Sequence, residues 1–192
     1  MIKLKKLENI IVVSFTGPRP YKLTPYPFSM ESIKQNLYNT NEKLIIQKGA
    51  TTFISGGALG FDQYAFESIL LLQKKYPHIQ NIMAVPFEEQ YKKDWDESQV
   101  KLYMQYKKAA TEVVYIDEIQ AYQKGNKVEI GKYQGSKYQR RNEYMVDNSQ
   151  LLISLYDGNK SSGTYNCIDY AKRKNVPILN LDLKNQLKYQ LL

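Results

Sequence analysis

The chain is predicted to be an α/β protein with three layers, built on a mainly parallel sheet of about six strands. Two observations predict this. Short runs that are apolar throughout, such as Ile10 to Phe15 and Leu151 to Leu155, alternate with segments whose apolar residues recur at helical spacing. Strands without a polar face belong in a parallel sheet covered by helices on both sides. In addition, glycine-bearing loops stand between a strand and a helix at two places, Ser55 to Gly60 and Asp157 to Thr164. In open parallel sheets that edge holds ligands, beyond the carboxyl ends of the strands at the switch in strand order.

Taken in order, the first strand is Ile10 to Phe15, stopped by Thr16-Gly17-Pro18-Arg19-Pro20, a stiff loop that presents Arg19. Ser29 is placed to cap a helix carrying Ile33, Leu37, Thr40 and Leu44, and Gly49 to close it. Thr52 to Ile54 is a strand, and the helix from Phe61 is expected to bury Phe61, Ala65, Ile69 and Leu72, with Leu70 and Leu71 widening the stripe. Asn81 to Val85 and Glu112 to Ile116 read as strands, with a helix from about Ser98 to Ala110 between them. Asp117 to Ser136 has no clear period. Its length suggests a functional element, a loop leaving the fourth strand at the switch point and closing over a ligand. A helix from about Lys137 to Asn148, a strand from Leu151, a helix from Tyr165 to Lys174 and a strand at Ile178 to Leu181 follow. The tail to Leu192 reads as a short helix.

The 192 residues suffice for one domain, spanning residues 1–192, with ordinary proportions of hydrophobic (43%) and charged (24%) residues. A formal charge of +8 favours anionic partners, nucleotides or nucleic acid, although the lysines are dispersed. One cysteine, Cys167, excludes an internal disulfide and a cysteine-based zinc site, and His78 beside Pro77 reads as a surface turn. No metal site and no cofactor is expected. The basic start, MIKLKKLENIIVVSF, reads as leading into the first strand and not as a signal peptide, and no apolar run approaches a membrane span. A cytoplasmic location fits this inventory. Nothing in the sequence fixes the oligomeric state, and a homo-oligomer is compatible with it.

Three glycines within Ser55-Gly56-Gly57-Ala58-Leu59-Gly60 allow a tight turn and close approach, and the helix that follows begins with unpaired N–H groups. This combination suits a phosphate, or equally a tight connection that holds nothing. On the phosphate reading, Gly57→Asp is expected to abolish binding while the fold survives. Asp62 either accepts from a ribose hydroxyl, or substitutes for a catalytic carboxylate, or is an ordinary acid at a helix start. Arg140 and Arg141 precede Asn142. One arginine is expected to pair with Glu143 or Asp147, Arg140 being the better placed, which leaves Arg141 for phosphate. Trp95 either stacks on a base or packs under a helix, Gln90 is a weaker candidate in the same loop, and Tyr122, Tyr133 and Tyr138 suggest an aromatic, basic covering. The tyrosine excess equally reflects AT-rich coding together with Lys, Asn and Ile, which is the safer account.

No Gly-x-x-x-x-Gly-Lys-Ser/Thr and no Gly-x-Gly-x-x-Gly occurs. The segments TGPRP (16–20), SGGALGFDQYAFE (55–67), PFEEQYKKDW (86–95), RRNEYMVD (140–147) and SGTYNCIDYA (162–171) nevertheless resemble, in order, the SLOG superfamily, a Rossmann-like group. That superfamily includes the "lonely guy" phosphoribohydrolases and the DprA/Smf proteins, and the likeness is closest to its YpsA- and YoqJ-like bacterial and phage branch. The resemblance implies binding of a nucleotide or an ADP-ribose-like derivative through Thr16, Gly17, Arg19, Ser55, Gly56, Gly57, Gly60, Asp62, Trp95, Arg141, Asn142, Gly163 and Thr164. Alternatives are an N-glycosidic hydrolase and a DprA-like single-strand binder. The superfamily's hydrolases pair an arginine, matched by Arg141, with a glutamate two residues past Gly-Thr. That glutamate position falls on Cys167, so the resemblance implies binding without the usual catalytic carboxylate.

Overall fold

The structure, a computed structural model, describes residues 10–92, 94–123 and 129–192. The basic N-terminal stretch before residue 10 and residues 124–128 of the long loop lie outside them. Seven strands form one sheet: β1 Val12–Thr16, β2 Thr52–Ser55, β3 Gln80–Val85, β4 Glu112–Tyr115, β5 Leu151–Tyr156, β6 Ile178–Asp182 and β7 Lys188–Leu191. Their order is β4-β3-β2-β1-β5-β6-β7, parallel throughout except for the antiparallel β6–β7 pair. Five α-helices alternate with them: α1 Met30–Lys48, α2 Phe61–Gln73, α3 Glu97–Ala109, α4 Gly135–Asp147 and α5 Gly163–Arg173. Strand order reverses between β1 and β5, so the switch point lies there. The long loop instead leaves β4 at the sheet's edge, which corrects the expected exit.

The helix ends were legible because their chemistry is local. Ser29 accepts from the Ser32 amide at 3.1 Å, and Gly49 closes α1 at φ 76°, a left-handed conformation that glycine adopts without a Cβ penalty. Asp96 and Gln99 form a reciprocal capping box at the start of α3. Alternation along the strands divides the core between two faces. Val13, Phe15, Phe53, Ile153 and Leu179 pack with α1 and α2, and Met83 and Val85 pack with Phe66 of α2 and Tyr103 of α3. On the opposite face Leu152 and Ile178 pack with Val146, Cys167 and Ile168, while Ile54 and Ala84 pack with Met145. Thus α1, α2 and α3 cover one face, and α4 and α5 the other.

Two further expectations fail. The tail is strand β7, entered through a turn in which Gln186 and Leu187 take φ 51° and 53°. Leu183 and Leu187 are buried there, so core packing holds a turn that lacks the usual Asn-Gly signature. Leu71 is 46% exposed, because the stripe of α2 follows Phe61, Ala65, Ile69 and Leu72, all fully buried, and Leu71 falls on the other side. His78 is exposed in a turn, edge-on to Tyr76.

Candidate functional site

Loops after β1, β2 and β5 converge at the switch point on a cavity of about 240 Å³. The first supplies Thr16, Gly17, Pro18, Arg19 and Lys22, the second Ala58, Leu59 and the start of α2 with Asp62, and the third Gly163 and Thr164. Helix α4 closes it from the opposite side with Tyr138, Arg141 and Asn142. A second compartment of about 540 Å³ shares Arg19, Leu59 and Tyr138 with the first and adds Pro20, Tyr21, Asp94, Trp95, Gln99 and Tyr133. One cleft therefore has a polar, cationic end and an aromatic end.

At the floor of the polar end, Arg141 donates from Nη1 to Asp62 Oδ2 at 3.0 Å and from Nε to Asn142 Oδ1 at 3.1 Å. Both ion-pair side chains are less than 10% exposed. Burial pushes the Asp62 carboxyl above the usual carboxylate range, opposed by the charges of Arg141 and Arg19 and by the Ala58 amide. Arg19, half-buried at the lip, borders both compartments together with Tyr138. Lys22 beside it is exposed on the short 3₁₀ turn Pro20–Lys22.

The glycines of the β2 turn are packed closely against neighbouring side chains and backbone. A Cβ on Gly56 would stand 1.4 Å from Arg141 Nη1 and 2.5 Å from Asp62 Oδ2. Gly56 thus makes room for the buried ion pair. A Cβ on Gly57, at φ 65°, would stand 2.9 Å from Met83 Sδ, and one on Gly60, at φ 93°, would stand 2.6 Å from the Pro18 carbonyl. Ser55, Gly56, Gly57 and Gly60 shape the turn, and Ala58 and Leu59 between them border the cavity. The expectation that Gly57→Asp spares the fold is accordingly corrected: the side chain would enter the core in a left-handed backbone conformation. Gly17 similarly accommodates Phe61, whose ring a Cβ would meet at 2.5 Å or less.

Other candidates sort cleanly. Arg140 pairs with Glu143 at 2.8 Å and borders neither compartment. Trp95 lies edge-on to Tyr103 at 5.3 Å while bordering the aromatic end, so it both packs and faces the cleft. Gln90 is buried and donates to the Tyr103 hydroxyl at 2.9 Å. Tyr122 donates to Asp147 and borders neither compartment. Cys167, the fifth residue of α5, is fully buried, and its thiol is pushed up to about 12 by burial. Lys22, Leu59 and Asp94 were not anticipated. For Lys22 the available signal was its place three residues beyond Arg19 on the same stiff loop. Among the described residues, no group of three His, Cys, Asp or Glu side chains is placed to hold a metal, and no helix is long and apolar enough to cross a membrane.

The SPbeta prophage-derived protein YoqJ of Bacillus subtilis (strain 168) is 41% identical over 145 residues, 76% of this chain and 83% of that protein. The UPF0398 protein BH1768 of Halalkalibacterium halodurans is 27% identical over 166 residues, 85% of this chain and 81% of that protein. Two solved structures share the fold. DNA processing protein A from Helicobacter pylori, described with a single-stranded DNA binding mode, aligns at TM-score 0.54 and 20% identity over 88% of this chain. Its counterpart from Streptococcus pneumoniae aligns at 0.56 and 15% over 93%. This chain spans only 64% and 51% of those two proteins. The family model described as the YspA SLOG family matches residues 13–186, and the chain belongs to that family.

Proposed function

We propose that the cleft binds a nucleotide or a nucleotide-derived, ADP-ribose-like ligand, and that the protein senses or sequesters this ligand without hydrolysing it. One observation carries the reading: a cationic cavity at the switch point opens, through Arg19, Leu59 and Tyr138, into an aromatic compartment. Phosphate suits the polar end, where Arg19 and Lys22 stand near the first turn of α5 with its outward N–H groups. A planar base suits the aromatic end, against Trp95, Tyr133 and Tyr138. Gly56, Gly57 and Gly60 support the turn and leave phosphate contact to the residues around it.

Hydrolysis of an N-glycosidic bond requires a carboxylate facing the ribosyl centre. Asp62 is engaged by Arg141, and Cys167 offers a buried neutral thiol. The experiment is calorimetric titration with ADP-ribose and AMP, together with chromatography for free base after incubation with AMP, CMP and a cytokinin ribotide. Binding without base release is expected. Base release at catalytic rates that disappears in Asp62→Asn overturns the binding reading. Single-stranded DNA bound with a log-log salt slope of about 0.7 per phosphate contact, uncompeted by nucleotide, overturns the small-molecule reading.

A further inference from the structure

We infer that Lys137 is a positioning residue for the aromatic end of the cleft, acting with Asp117 as a buried latch. The inference rests on the proposed ligand cleft, but the latch itself can be tested without ligand. Lys137 lies in the first turn of α4, one residue before Tyr138, and is 3% exposed. A lysine so buried needs a full set of partners. Its Nζ donates to Asp117 Oδ2 at 2.8 Å, to the Glu129 carbonyl at 2.6 Å and to the Lys132 carbonyl at 2.7 Å. Asp117 Oδ2 also accepts from the Gly131 amide at 2.8 Å. One ion pair thus fastens the 129–132 turn both to the end of β4 and to α4.

The consequence falls on the cleft. Tyr133 follows that turn and packs edge-on against Phe87 at 5.9 Å, and Tyr138 does the same at 5.6 Å. The ammonium of Lys137 lies 5.5 Å from the centre of the Phe87 ring. The latch therefore sits behind the two tyrosines that border the aromatic compartment, and neither of its charges borders that compartment. Three of the four bonds made by this pair go to backbone groups of the 129–132 turn, which leads directly into Tyr133. These bonds determine where Tyr133 stands.

The test separates position from stability. Lys137→Met alone leaves the Asp117 charge unpaired and risks unfolding, so the informative variant is the double Lys137→Met with Asp117→Leu. Replacing both charges by apolar side chains is often neutral for folding. Glu129, Ile130 and Lys132 are exposed and Gly131 is half-buried, so the turn can shift its released groups to water. In this variant, amide exchange at 130–133 is expected to accelerate, acrylamide to quench Trp95, the single tryptophan, more strongly, and ADP-ribose affinity to fall about tenfold or more. A folded double variant with unchanged exchange and quenching overturns the inference. In the unaltered protein the Gly131 amide is expected to exchange about a hundredfold more slowly than an open amide, and free exchange there overturns the latch even if the variant does not fold. Should the unaltered protein bind no nucleotide, the functional reading fails, and exchange and quenching still decide the latch.

Discussion

Gly56→Ala isolates the least obvious feature of the site, the space in the glycine turn reserved for an arginine. Gly56 is not among the glycines with positive φ, so alanine meets no backbone obstacle there. The new methyl would instead stand 1.4 Å from Arg141 Nη1, 2.3 Å from Cζ and 2.5 Å from Asp62 Oδ2, inside a pair less than 10% exposed. Either the guanidinium moves away, leaving Asp62 buried without its partner, or the turn shifts. Losing one partner of a buried pair costs about 3–5 kcal/mol, and overpacking alone about 1–3 kcal/mol. About 3 kcal/mol is therefore expected, which for a chain of this length lowers Tm by roughly 6–12 °C. Urea denaturation measures it. The steric origin is checked by repeating Gly56→Ala in an Arg141→Met background, where its cost should fall by at least about 1 kcal/mol. A cost below about 0.5 kcal/mol in the native background, or strict additivity with Arg141→Met, would refute the assignment of Gly56 to the ion pair.

Arg19→Ala should weaken ADP-ribose binding about 10- to 100-fold, the worth of a charge-assisted hydrogen bond, while urea midpoints change little; calorimetry and denaturation together check both halves. Cys167 should resist iodoacetamide at pH 8 in the folded protein and react fully in urea. Its thiol stays protonated when folded, so this group's contribution to stability is complete below its ordinary pKa of about 9 and is lost as pH rises toward 12. Gly57→Asp should fail to fold cooperatively, since a carboxylate would be forced toward Met83 and Tyr103 at φ 65°; a cooperative near-UV transition like that of the unaltered protein would contradict this.

Most of the fold was legible because local rules and burial agreed. Ser29, Gly49 and the apolar runs of β1, β2, β3 and β5 each carry their own signal within a few residues. The tail lacked one: Gln186 and Leu187 make a left-handed turn only because Leu183 and Leu187 are held in the core. At the site, the sequence brought the right loops to one edge, and Thr16, Gly17, Arg19, Asp62, Arg141, Asn142, Gly163 and Thr164 do border one cavity. The packing role of Gly56 was not legible, since a small residue beside a phosphate and one beside a buried guanidinium look alike in sequence. The Lys137–Asp117 pair was illegible for a related reason. Twenty residues separate its members, and a lysine at the start of a helix ordinarily reads as exposed.

The charge arrangement within the cleft supports the proposal that a ligand is bound there without hydrolysis. Arg141 occupies the arginine position of that pattern, but its charge is met at 3.0 Å by Asp62, a residue from a different loop. The pair is nearly neutral as a unit, so the positive potential available to a ligand comes from Arg19 and Lys22 at the lip. On the proposed reading an anion is drawn to the rim and to the start of α5, while the floor presents a carboxylate with one oxygen bound to a guanidinium. Such a carboxylate has given up much of the charge it would need to stabilise a developing cation. Cys167, which the resemblance matches to the hydrolases' glutamate, fills space beside Thr16 in the core between α5 and the sheet. Restoring a carboxylate there by Cys167→Glu would bury a charge against Val146, Leu152 and Ile168, so the substitution is expected to cost folding before it yields catalysis.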